Sequence, residues 1–252
     1  MKRIGVIGCG NIAELITEFS LGNDVTAVFD RHSDRSDRIA EKCSAKAFTE
    51  FDRFINEPFD LVVEIASIGA VRAYAEAVLQ KQSDLLILSS GALADEELEQ
   101  RLLRIAKERS RRILIPSGAL FGLDNAKIAR YGEVDRLTMR STKPPKSFGI
   151  QTDKRRRLFR GSANECIKHY PRNVNAAVAL GMAAQKEVQI ELWADPSVVT
   201  NTHEVHICGS FGEAVLKIDN KPSPHNPSTS YLAALSVVTM INTLDSTIIV
   251  GT

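Results

Sequence analysis

The sequence predicts an α/β protein: a doubly wound parallel sheet followed by a second α+β domain. Three observations point there. The chain opens with a strand-like run at 2–7 and the glycine turn Gly8-Cys9-Gly10-Asn11-Ile12-Ala13, after which Ile12, Leu15, Ile16 and Phe19 share one helical face. Apolar runs of strand length then alternate with helix-period segments over roughly the first hundred residues. Beyond Phe121 the strand candidates alternate apolar and polar residues, as a sheet with one wet face does. They form a mixed or antiparallel sheet with helices over one face.

Each small residue of the opening turn has a reason. Gly8 permits the sharp turn, Gly10 lets the backbone approach a pyrophosphate, and Ala13 lets the helix lie close on the sheet. The first N–H groups of the helix, at Asn11 and Ile12, face the phosphates, where the helix dipole favours negative charge. A second strand at 25–29 ends in Asp30, about twenty residues on, where an acid binds the adenosine ribose. A bare glycine turn accounts for the first motif alone. Strand, helix, second strand and terminal acid together indicate a nicotinamide cofactor. Asp30 favours the free 2′-hydroxyl of NAD, whereas Arg31 and Ser33 tolerate the 2′-phosphate of NADP.

Next come a polar helix at 33–43, a short run at 45–48 and a brief helix at 49–56. Residues 60–66 (DLVVEIA) form a strand buried on both faces, followed by a helix at 68–80 and the strand 84–89. Asp95 caps a helix through Lys107, with Leu98, Leu102 and Ile105 inward, and 111–115 is another strand. Ligands of such sheets sit beyond the carboxyl ends of the strands. Three stretches fall there: Glu64-Ile65-Ala66-Ser67, 89–93 and 116–120, of which Ala66 and Ser67 are the expected cofactor contacts. Taken singly, each is also ordinary turn chemistry.

In the second half, strands are expected at 134–141, 188–194, 202–208 and 214–218. Ser162-Ala163-Asn164-Glu165 is a capping box opening one helix, and 174–184 is a second helix rich in small residues. A final apolar helix at 230–244 should return to the first domain or enter a subunit interface.

His203 is the main candidate for chemistry. Strand alternation puts it with Val205 and Ile207, and Glu204 with His206 on the other face. An imidazole titrates near neutrality and can take a proton as a hydride leaves; among apolar neighbours it can equally be a satisfied core residue. His206 and His169 look like surface residues. Asn173 and Asn175 stand at a helix start, as nicotinamide amide partners or as plain N-caps. Lys143 and Arg160 are candidate cations for substrate carboxylates. The basic run Lys154-Arg155-Arg156-Arg157 reads as a solvated loop before a strand.

Composition excludes several classes. With 32 Lys plus Arg against 31 Asp plus Glu in 252 residues, no global field suggests nucleic acid or a charged surface as partner. The four cysteines make no CxxC pair, which argues for a reduced compartment and against structural zinc. No His, Cys, Asp and Glu spacing suggests a metal, and no GxSxG elbow occurs. With neither a leader before the first strand nor an apolar run of membrane-spanning length, a soluble cytoplasmic protein is expected.

Several motifs, in order along nearly the whole chain, resemble the L-aspartate dehydrogenases. They are Gly8-Cys9-Gly10-Asn11-Ile12, Pro116-Ser117-Gly118-Ala119-Leu120 with Gly122-Leu123-Asp124, Thr142-Lys143-Pro144-Pro145 and Phe159-Arg160-Gly161-Ser162-Ala163. Further on come Tyr170-Pro171-Arg172-Asn173-Val174-Asn175, Ala194-Asp195-Pro196, Asn201-Thr202-His203-Glu204 and Asn226-Pro227-Ser228-Thr229-Ser230-Tyr231-Leu232. Ala13 stands for a usual Gly, and Phe121 for a second Gly, where it would narrow the site. The resemblance implies a homodimer that uses NAD or NADP to deaminate L-aspartate oxidatively to iminoaspartate, feeding NAD biosynthesis through quinolinate. It implies His203 as the catalytic histidine, and cofactor contacts at Ala119, through its backbone, and at Asn175. The domains implied are a Rossmann-type dinucleotide-binding domain at 1–120, a catalytic and dimerising α+β domain at 121–228, and a last helix within 229–252 packing back on the first. The neighbouring alternatives are another two-domain dehydrogenase or reductase, of the homoserine dehydrogenase or dihydrodipicolinate reductase type, and a non-catalytic nucleotide-binding sensor.

Overall fold

A computed structural model describes residues 2–19, 24–171, 174–224 and 226–251, the side chains of 226–228 excepted. The chain divides into two units: Met1–Pro116 with Val237–Asp245, and Ser117–Ser236 with Ser246–Thr252.

The first unit follows the alternation of its sequence. Its elements are β1 (Ile4–Ile7), α1 (Asn11–Glu18), β2 (Val25–Phe29), α2 (Ser33–Cys43), β3 (Lys46–Phe48) and α3 (Phe51–Phe54). Then come β4 (Leu61–Glu64), α4 (Ile68–Gln80), β5 (Asp84–Ile87), α5 (Glu96–Glu108) and β6 (Ile113–Leu114). The six strands form one parallel sheet in the order β3-β2-β1-β4-β5-β6. That order reverses between β1 and β4, so the crevice at their carboxyl ends is the switch point where such sheets bind ligands. β1, β4 and β5 are buried along their whole length, as strands covered on both faces must be. Asp95 caps α5 through Leu98 N, as its position before the apolar stripe predicts.

In the second unit, α6 (Leu123–Ala126) precedes β7 (Val134–Lys143), β8 (Arg156–Ser162), α7 (Ala163–His169) and α8 (Asn175–Ala184). β9 (Gln189–Ala194), β10 (Thr202–Gly209) and β11 (Gly212–Asp219) follow, then the short pair β12 (Pro222–Ser223) and β13 (Asn226–Ser230). Five strands make a mixed sheet in the order β11-β10-β7-β9-β8, in which only β7 and β9 run parallel. Alternation is plain on β10, where His203, Val205 and Ile207 are buried while Glu204 and His206 are half-buried. The predicted capping box is formed: Ser162 Oγ accepts from Glu165 N, and the Glu165 carboxylate accepts from Ser162 N. A last helix, α9 (Tyr231–Thr243), contributes Val237, Val238 and Ile241 to the apolar cluster of the first unit, beside Ile4, Val28 and Leu61.

One expectation is corrected. The basic run is solvent-exposed, and Lys154 and Arg155 do precede a strand, but β8 begins inside the run at Arg156 rather than after it. Trp193 on the neighbouring β9 explains why: the Arg155 and Arg157 guanidinium groups lie over its indole, at 4.7 and 5.6 Å from the ring. Arg157 and Arg155 also reach Glu191 and Asp195. Arg157, and Arg155 just ahead of the strand, therefore cover the outer face at the start of β8.

Candidate active site

Two sets of predicted residues are drawn together, one in each unit. In the first unit a groove of about 410 Å³ is lined by Gly8, Gly10, Asp30, Arg31, Ala66 and Ser67 among others, so six of the expected cofactor contacts share one cavity. Asn11 and Ile12 begin α1 at its edge. Gly8 has φ +100°, and a Cβ there would fall 2.7 Å from the Ala66 Cβ, so the two turns touch through their smallest residues. At Gly10 a Cβ would meet nothing within 4 Å: its free side opens onto the space where a pyrophosphate would lie. Gly10 is also the N-cap of α1 and has no side chain to occupy the helix N-terminus. Asp30 accepts from Cys9 N at 2.9 Å through Oδ2 and from His32 N at 3.0 Å through Oδ1, which fixes its carboxylate at the groove wall. Backbone donors, a bare helix start and a terminal acid in one cavity fit a dinucleotide.

In the second unit His203 is 4 % exposed, and its Nδ1 lies 2.9 Å from Ser141 Oγ across the β10–β7 pair. Burial, with the charge of Lys143 adding to it, pushes the imidazole down to about 3, so it is neutral at physiological pH. Lys143 follows Ser141 by two positions on β7 and so shares its face; it is 9 % exposed, and burial lowers it to about 8. Close to Lys143 is the Cys166 thiol of α7, which burial pushes up to about 12. A neutral imidazole and a desolvated ammonium thus stand together on one buried sheet face. A cavity of about 360 Å³, lined by Lys146, Ser147, Asn201, Asn220, Lys221 and Ser230 among others, lies at the end of the sheet where β7 stops and β10 starts.

Arg160 is a correction. It pairs in register with Glu191, which aligns with Arg140 and, through it, with Glu204. That row faces away from His203, and the Arg160 side chain is 70 % exposed with Glu191 at 3.8 Å. Parity along the strand decides the matter: Phe159, not Arg160, aligns with Leu192 and Ser141. His206 belongs to the same outer face, and His169 is exposed.

Ala119 offers its carbonyl to Asn220 Nδ2 at 3.2 Å, and Asn220 Oδ1 in turn accepts from Ser230 Oγ at 2.5 Å. Asn175 is the first residue of α8, whose N-cap is Val174; Arg172 and Asn173 lie outside the described residues. Ser141, the partner of His203, was not singled out by sequence; its parity with Leu137 and Met139 on the buried face was the available signal. Among the described residues no group of three His, Cys, Asp or Glu side chains could hold a metal, and no helix is long and apolar enough to cross a membrane.

Comparison with known proteins adds independent findings. Residues 4–116 match the family model "Homoserine dehydrogenase, NAD binding domain", and residues 124–244 match "Aspartate dehydrogenase, C-terminal". An L-aspartate dehydrogenase of Methanospirillum hungatei is 46 % identical over 251 residues, covering all of both chains. One from Methanothermobacter thermautotrophicus is 38 % identical over 256 residues, covering 100 % of this chain and 99 % of its own. Among solved structures, the aspartate dehydrogenase of Thermotoga maritima matches with a TM-score of 0.82 at 30 % identity, over the full length of both.

Proposed function

Since this chain belongs to the L-aspartate dehydrogenase family, we propose that it oxidises L-aspartate to iminoaspartate, with NAD preferred as coenzyme and NADP accepted. A nicotinamide cofactor, when bound, would supply the acceptor for the hydride that leaves the substrate α-carbon. Gly8, Gly10 and the start of α1 would hold its pyrophosphate, and Asp30 its adenosine ribose.

The protein's own work is to hold two carboxylates and remove a proton from the amine. Lys143 binds one carboxylate of aspartate, and His203 takes the amine proton on Nε2, its Nδ1 being engaged with Ser141. A base whose proton affinity lies near 3 is weak at rest. Substrate corrects this: a carboxylate beside Lys143 cancels the charge that helps hold His203 down, and adds a negative charge that favours imidazolium. The base therefore strengthens when its substrate arrives. The observation that carries this assignment is the burial of His203 and Lys143 on one sheet face, close enough for the Lys143 charge to act on the imidazole.

The assembly proposed is a cytoplasmic homodimer supplying iminoaspartate to quinolinate and so to pyridine nucleotide synthesis. A dimer is supported by the outer face of the second sheet, where Arg140, Arg160, Glu191 and Glu204 alternate in sign, a pattern a two-fold axis can pair with itself. Sedimentation at two salt concentrations checks the assembly.

The test of activity is a substrate panel at alkaline pH, where the amine is more often neutral. L-aspartate should yield NADH while homoserine does not, and oxaloacetate plus ammonia should consume it. Turnover of homoserine alone would reassign the enzyme. NADH binding without turnover of either would make it a sensor.

A further inference from the structure

Glu64 closes β4, and nothing in the proposed chemistry uses it. It is 2 % exposed. Its Oε1 accepts from Ala66 N and Ser67 N, both at 2.8 Å, and from Ser89 Oγ at 3.0 Å; its Oε2 accepts from Ser89 N at 3.1 Å. Four donors from two strand ends therefore converge on one carboxylate in a dry place. The two residues it grips by their backbones are groove residues. Ala66 is the one that abuts Gly8, and Ser67 caps α4 by accepting from Ala70 N at 3.1 Å.

Burying a carboxylate costs several kcal/mol unless donors offset it. Here they do so in part, and burial leaves the group pushed up to about 7. A buried Gln would be less costly, but its Nε2 would face the Ser89 N–H, donor against donor. Only the ionised carboxylate accepts from every donor at once.

We propose that Glu64 is a positioning residue for the nicotinamide cofactor: ionised, it locks the Ala66–Ser67 turn onto the glycine turn, and on protonation it releases that turn and weakens cofactor binding. Its role rests on the groove being the cofactor site. Protonation falls on Oε2, which holds one bond against three on Oε1, and points a donor at the Ser89 N–H; the carboxyl must then turn away from Ser89 and loosens its grip on Ala66 and Ser67, so affinity is full above the titration of Glu64 and falls as pH drops through it. The surroundings of Glu64 are nearly free of other titratable groups. Among the described residues, the small cavity beside it is lined by Ile7 of β1, Leu85 and Ile87 of β5, and Ala70, Val71, Tyr74 and Ala75 of α4, with the Tyr74 phenol as the one other ionisable side chain. The groove itself adds Asp30, Arg31, His32 and Arg35, so His32 must be separated from Glu64.

The experiment is NADH binding followed by fluorescence, without substrate, from about pH 8.5 to about pH 6, in a His32→Gln background. The Kd is expected to rise about three- to tenfold across that range. In His32→Gln/Glu64→Gln it should be weak and flat with pH. A pH dependence that survives Glu64→Gln, or a Kd unchanged by that substitution, overturns the proposal. Ser89→Ala guards against a Glu64→Gln that does not fold. It removes the hydroxyl that favours the ionised form, so the midpoint must move to higher pH; an unmoved midpoint also overturns the role of Glu64. Failure of the parent protein to bind NADH at any pH would instead refute the cofactor site itself, and the proposal with it.

Discussion

Replacing Lys143 with Met should make the protein more stable and less active, and the size of the first effect follows from the structure. Burial moves the Lys143 ammonium from its ordinary 10.5 to about 8. At about 1.4 kcal/mol per pH unit, the fold bears ~3 kcal/mol to keep that side chain charged at neutral pH. The folded pKa lies below the unfolded one, so between about 8 and 10.5 the unfolded chain binds more protons and stability rises with pH. The penalty is fully present below pH 8 and gone above 10.5. Lys143→Met fills nearly the same volume without the charge. Urea unfolding at pH 7 should therefore show a gain of up to ~3 kcal/mol over the parent, shrinking towards zero by about pH 10. Steady-state kinetics on the same preparations should show kcat/KM for L-aspartate lower by about a hundredfold or more, mostly in KM, as a buried charge pair with substrate is lost. A functional residue held at a cost in stability is a known pattern. If Lys143→Met is less stable at pH 7, the charge is not a burden to the fold. If KM for aspartate is unchanged, Lys143 does not hold its carboxylate.

Other outcomes follow from the same geometry. His203→Asn should lower turnover by about 10²–10⁴-fold while NADH affinity stays near that of the parent, which fluorescence titration measures. Because His203 is buried neutral, with its folded value depressed to about 3, the parent should lose stability as pH falls below about 6.5 towards 3, and His203→Asn should lose less, as acid unfolding would show. Gly10→Ala should weaken NADH binding with little change in thermal stability, since the added Cβ meets no protein atom. Gly8→Ala should lower Tm as well, because its Cβ meets Ala66 at 2.7 Å on a backbone with φ +100°. Arg160→Ala should leave KM for L-aspartate unaltered, the guanidinium being on the outer face.

Much of the first unit was legible because parallel strands buried on both faces are simple to read: long apolar runs, glycine at the turn, an acid at the end of β2. That alternation predicts parallel pairing but not the strand order, since doubly wound sheets occur in more than one. Glu64 was placed at the ligand-binding edge but given no role of its own. Inside DLVVEIA it is one polar letter in an apolar run, and only the convergence of Ala66, Ser67 and Ser89 on its carboxylate reveals a purpose. In the second unit, the period of two along β10 was enough to place His203 on the buried face. Its partner Ser141 is 62 positions away, and pairing between strands so distant depends on register, which no local pattern encodes. Register also decided against Arg160: a shift of one residue separates the two faces of β8. The start of that strand was concealed, since four successive cations read as solvated loop until an indole on the adjacent strand gives two of them a surface.

The central claim is that an imidazole, His203, unloads the amine of L-aspartate so that its α-hydrogen can leave as hydride. A single-turnover experiment with L-aspartate deuterated at Cα tests this most directly, comparing the parent with His203→Asn, each saturated with NAD. The parent should place deuterium on the nicotinamide, and His203→Asn should do so about 10²–10⁴-fold more slowly from an equally occupied complex. Transfer at the parental rate in His203→Asn, or NADH formed without the label, would contradict it.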